Sequence, residues 1–173
     1  MKTDVTTRAV LVAAALVGAF LLVQLVLGNF ASLVYSLRDD PLRTLGYQFS
    51  SSIAAFFQNI LPIVIGVFLG FRVFARITPD LQLIPVLVRS LVAAATGAVL
   101  ALLVTGLFQF GTLFTGSFFG NSLPFGSIRD ALSNASYWIA NGVDNLVTLV
   151  PLVGLAAVLL WLWLRKHAER TGV

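Results

Sequence analysis

Six polar side chains lie in or beside long apolar runs and hold most of the chemistry this sequence could perform: Asn29, Gln58, Asn59, Gln109, Asp144 and Asn145. Five are amides, which donate and accept hydrogen bonds but neither titrate nor attack, and the sixth is a carboxylate. Such a set can receive a small polar solute or a lipid headgroup. It can equally tie one helix to another, because amides inside a membrane find partners on neighbouring helices at about 0.6–2 kcal/mol each. An acid inside a membrane span is a functional signal in general, but Asp144 sits at the edge of its run, where water reaches it. All six lie from the middle of their runs outward to one side. A cavity built from them opens to that side and is closed to the other.

Catalysis finds little support. The single histidine, His167, stands in a basic tail beside Lys166 and is read as a solvated neighbour of it. No serine is accompanied by a histidine at membrane depth, no pair of buried acids is present, and nucleotide loops and zinc signatures are missing. The chain has no cysteine, which removes disulfides, thiol catalysis and thiolate metal sites together. Asp39 and Asp40 are adjacent carboxylates that project differently and lack a third ligand, so no metal is assigned to them. The expectation is a protein that is not an enzyme and carries no cofactor or metal.

The elements that position these side chains are set by composition. Of 173 residues, 58% are hydrophobic and 10% charged, with a mean hydropathy of +0.96. Soluble domains carry about 25% charged residues, so there is too little polar surface here to face water, and the chain is read as one membrane domain, 1–173. Four apolar stretches, Ala9 to Tyr35, Ser52 to Phe74, Leu91 to Phe114 and Val143 to Leu164, each reach the ~20 helical residues that a ~30 Å hydrocarbon core requires. Backbone groups in lipid must pair within the segment or in a closed barrel. Continuous apolarity without period-two alternation selects helix, giving an all-α polytopic protein with four transmembrane helices.

Eight of the eleven Lys and Arg residues fall on one side of such a topology: Lys2, Arg8, Arg72, Arg76, Arg89, Arg165, Lys166 and Arg170. Arg38, Arg43 and Arg129 fall on the other. The positive-inside bias then predicts both termini in the cytoplasm of a cell whose plasma membrane the chain crosses. The formal charge of +4 and basic pI are explained by topology rather than by nucleic acid. Trp161 and Trp163 are expected at the inner interface, and Tyr47, Tyr137 and Trp138 at the outer. The first apolar run exceeds a signal-peptide core of ~7–15 residues and has no clear cleavage site, so it is read as a true span.

The two halves resemble each other. Shifted by 80 positions, Leu11–Ala15 recurs at Leu91–Ala95, and Asn29 and Phe30 meet Gln109 and Phe110. Ser36–Asp39 matches Ser127–Asp130, and Pro62 matches Pro151. The reading is a tandem repeat, 1–80 and 85–173, each copy a helical hairpin and the two related by an axis along the membrane normal. Pro62 and Pro151 are expected to kink their helices. Residues 111–142 are expected to form an external loop with a short interfacial or re-entrant helix; the Phe- and Gly-rich stretch 111–126 is the part that could enter the membrane. Asn134 opens a glycosylation sequon on that side.

Small residues at four-residue spacing mark close helix contacts in lipid: Gly66 and Gly70, and then Ala93, Gly97 and Ala101. They are read first as contacts inside the bundle. The function these features imply is a non-catalytic membrane subunit or scaffold associating through such faces with a second copy or a larger membrane partner. The alternative is a transporter or channel component whose outward polar cavity takes a small solute or lipid headgroup.

Overall fold

Apolar runs free of period-two alternation fold as helices, and among the described residues every regular element is helical. A computed structural model describes the backbone of residues 2–36, 41–118 and 128–171, and side chains within 6–31, 34, 45–46, 48–107 and 146–170. The elements are α1 (Lys2–Ser36), α2 (Pro41–Ala55), α3 (Leu61–Leu69), α4 (Leu83–Phe118) and α5 (Ile128–Thr171). Two π turns, Phe56–Ile60 and Gly70–Phe74, precede and follow α3, so α2 runs into α3 as one helical rod. Four stretches are long and apolar enough to cross a bilayer: Thr6–Ala31, Gln48–Phe74, Leu83–Leu107 and Leu146–Arg170, the first to fourth spans in chain order.

The distribution of side chains is the reverse of a water-soluble bundle. The largest apolar groups face outward, among them Phe30, Phe49, Ile84, Leu107 and Val147, while the core is built from alanine and valine with a few larger residues such as Phe71, Ile77 and Leu149. Only 28% to 39% of each span is buried within the chain. So much contiguous apolar surface requires lipid or a partner to cover it. Among the described residues Ser90 is the single buried polar side chain, and its hydroxyl donates back to the Leu87 carbonyl at 2.7 Å, leaving no unmet group.

Successive spans run antiparallel. The first and second are joined at one end by Arg72 to Thr7, in the middle by Gly18 against Val64, and at the other end by Asn29 to Ser52. The second and third meet at Gly66 and Gly97 and at Gly70 and Ala93. The third and fourth meet where Ser90 approaches Gly154, and the fourth packs against the first, closing the ring. Each span therefore touches two neighbours and a shared core of Val17, Val67, Ala94 and Val153.

Helix occupies 111–118 at the end of α4 and 128–142 at the start of α5, both within the stretch read as an external segment with a short helix; residues 119–127 lie outside the described residues. The stretch 128–142 contains neither proline nor paired glycine, and a helix once nucleated by an apolar span propagates through such sequence. Pro41 stands at the first position of α2, where it has no N–H to lose. At 35, 36 and 44 residues, helices α1, α4 and α5 are roughly 50–65 Å long and overshoot a bilayer core of ~30 Å.

Candidate functional site

Of the six polar residues singled out in sequence, three have described side chains, and those of Asn29 and Asn59 join different pairs of spans. Asn29 donates through Nδ2 to Ser52 Oγ at 2.5 Å, and the Ser52 hydroxyl donates to the Gln48 carbonyl at 2.6 Å, a relay that ties the first span to the second. Gln58 and Asn59 lie in the first π turn, opposite Thr105 of the third span. The Thr105 hydroxyl donates to the Gln58 carbonyl at 3.2 Å and lies 3.4 Å from Asn59 Oδ1. The side chains of Gln109, Asp144 and Asn145 are outside the described residues, as are those of the Asn134 sequon.

The bond from Thr105 has a cause four residues further along. Pro62 has no N–H, so the Gln58 carbonyl lacks the donor it would have in an unbroken α-helix. The chain answers in two ways. The turn widens, with the Leu61 N–H reaching back to the Phe56 carbonyl, and Thr105 supplies the missing donor from the facing helix. Pro62 is buried, whereas Pro151, its counterpart in the proposed repeat, is exposed in the interior of α5. The two prolines therefore occupy different surroundings.

At the opposite end the arginines do local work. The second span ends at the second π turn, where the Ala75 N–H bonds the Gly70 carbonyl at 2.7 Å. Its terminal carbonyls would otherwise lack donors. Arg76 Nε donates to the Arg72 carbonyl at 2.8 Å, and Arg89 donates to the Arg76 carbonyl. Arg72 itself donates to Thr7 Oγ1 and forms, with Thr6, Val10 and Arg76, a cup of about 300 Å³. The Thr78–Leu81 turn has proline at its second position, and the Leu81 N–H returns to the Thr78 carbonyl at 3.3 Å. The Thr78 hydroxyl, the Asp80 backbone and nearby Arg89 hold the Asp80 carboxyl below its usual range. Trp161 Nε1 donates to the Leu81 carbonyl at 3.0 Å, fastening this turn to α5, with Arg165 lying 5.6 Å from the centre of the indole ring.

Between α1 and α5, at the same basic end, lies a groove of about 540 Å³. Ala9, Ala13 and Ala156 form its floor, and Arg8 and His167 stand at its mouth. His167 stacks on Trp163 with ring centres 5.1 Å apart and planes within 6°. Sequence alone does not single out this site, since His167 there reads as a solvated tail residue. A signal is nonetheless present: Trp163 and His167 are four apart and so share a helix face, as do Ala9 and Ala13.

Compared with protein-family models, curated proteins and solved structures, the chain matches none. Among the described residues no group of three metal-ligating side chains converges.

Proposed function

We propose that this protein is a non-catalytic membrane subunit or scaffold of the plasma membrane, its basic end and both termini facing the cytoplasm, built from two parallel-related hairpins that descend from a tandem repeat. The observation that carries the reading is how the polar groups are used. Asn29 bonds Ser52, and Thr105 bonds the Gln58 backbone carbonyl and faces Asn59, each a bridge between neighbouring helices, the arrangement of a brace and not of residues converging on a reacting atom. Gly66, Gly70, Ala93 and Gly97 meet one another within the chain, so association with a second copy or a larger partner falls to the outward leucine, valine and phenylalanine faces.

A second reading, a transporter or channel component, is favoured by the depth of the amides. Asn29, Gln58 and Asn59, the described amides among the six, lie in the half away from the arginines, which is where an outward cavity for a small solute would lie.

One experiment separates the two. Photoreactive groups placed at outward Leu11, Val73, Leu103 and Leu155, one per span, should give a discrete protein adduct in native membranes from at least one face. Vesicles containing the purified chain should exclude small polar solutes. The scaffold reading fails if no face yields an adduct, and the transporter reading replaces it if vesicles pass solute and Asn29→Leu with Gln109→Leu stops the flux.

A further inference from the structure

From the groove between α1 and α5 we infer a binding site for one anionic phospholipid, taken from the leaflet at the basic end of the bundle, with an acyl chain lying along the alanine floor and the headgroup at Arg8 and His167. The proposal is independent of the scaffold reading, since it requires only that the chain spans a bilayer.

Three observations select this occupant. The first is length. On α1 the groove runs from Arg8 to Leu16, a rise of about 12 Å, against a single-leaflet hydrocarbon depth of about 15 Å. A partner helix would need a seam through both leaflets. Here no residue of α1 beyond Leu16 lines the groove. The second is lining. Small floor residues leave room, and Val12, Leu16, Leu159 and Trp163 flank it with roughly half of each side chain exposed. The result is a trough wide enough for a hydrocarbon chain and free of polar groups that would need partners. The volume of about 540 Å³ lies within the ordinary range of ligand sites.

The third is charge at the mouth. Arg8 and His167 line the groove where it meets the interface, and Lys166 and Arg170 lie within three residues of His167 on the last turns of α5. Basic pockets between transmembrane helices hold anionic headgroups in this way. The acid among the described side chains of α5, Glu169, lies 3.8 Å from Arg165, so it does not oppose a phosphate at Arg8. The stacked Trp163 and His167 rings both line the groove, bringing apolar ring surface and polar ring nitrogens to its mouth.

The test is native mass spectrometry of the full chain released from vesicles of equimolar phosphatidylglycerol and phosphatidylcholine. One phosphatidylglycerol should be retained per chain in preference to phosphatidylcholine. Arg8→Gln, at an exposed position, should lower that preference about five-fold, as expected for one cation near an anionic surface. Ala13→Leu should fill the trough and abolish retention of either lipid. Where Ala13→Leu fails to fold, Val12→Trp, at an outward wall position, provides the same obstruction without disturbing the core. Equal retention of the two lipids, or a preference unchanged by Arg8→Gln, would overturn the proposal. So would retention that survives obstruction of the trough in a folded variant.

Discussion

The seam between the second and third spans and the seam between the fourth and first are built from the same kinds of residue and end in opposite states. In the first, glycines face a small-residue stripe so closely that a Cβ at Gly66 would sit 2.6 Å from the Gly97 Cα and 2.7 Å from the Thr96 carbonyl oxygen. In the second, the alanines Ala9, Ala13 and Ala156 face each other across a groove of about 540 Å³. Small residues thus either bring two backbones into contact or leave a trough, and what lies beside them decides which. Between the second and third spans the contact is continued by Gly70 against Ala93 and by Thr105 at the Gln58 carbonyl. Between the fourth and first, bulky Leu159, Leu160 and Trp163 stand beside the alanines and line the groove. Without a hydrophobic drive between helices in lipid, association depends on such geometry.

The largest effect that would break this contrast comes from closing the space at the tight seam. Gly66→Ala and Gly70→Ala each place a methyl group against backbone of the facing helix, at 2.6 Å in both cases. No rotamer relieves such a clash, so the spans must separate. Each substitution should cost about 3 kcal/mol, the upper end of overpacking penalties, read as a lowered midpoint in detergent-denaturation titrations. A loss under about 0.5 kcal/mol would mean that the second and third spans do not pack at this register. Substituting Ile at these positions would report on folding before it reported on any association between chains.

A smaller effect sharpens the account of why that seam stays closed toward its far end. Thr105→Val removes the donor serving the Gln58 carbonyl and should cost about 1 kcal/mol, within the span measured for interhelical bonds in membranes. Pro62→Ala restores the N–H that this carbonyl lost. In that background Thr105→Val should cost measurably less, a coupling that a double-mutant cycle isolates. Identical costs in the two backgrounds would show that Thr105 packs there without answering the proline.

How much of this was legible in the sequence depends on the range of the force involved. The four membrane-crossing helices are determined by the length of uninterrupted apolar runs, and a linear string of residues contains that information in full. Gly66, Gly70, Ala93 and Gly97 stand out by their spacing, but the spacing marks a face and does not name what the face meets. Asn29, Gln58 and Asn59 look like one cluster because they share a depth, whereas depth leaves the angle around the bundle open; the structure sends Asn29 to Ser52 and the π turn carrying Gln58 and Asn59 to Thr105. Each π turn adds a residue and so rotates the downstream side chains by roughly 100° relative to a regular helix, which sequence periodicity does not register. The groove at Arg8 and His167 is hidden for the same reason: it joins residues from opposite ends of the chain, and His167 read alone in its tail has no reason to be paired with Trp163 and Arg8.

The smallest effect belongs to α5, on the loose side of the bundle. A Cβ at Gly154 would have the Ser90 Oγ at 3.7 Å, an ordinary contact. Gly154→Ala therefore adds a methyl group without displacing anything, and it reduces the freedom of the unfolded chain, an effect of about 0.4–1 kcal/mol where the native backbone suits alanine. The same denaturation titration should show an unchanged or slightly raised midpoint. A fall comparable to that of Gly66→Ala would place α5 as close to α4 as the second span lies to the third, leaving the seam of α5 with α1 as its one open side.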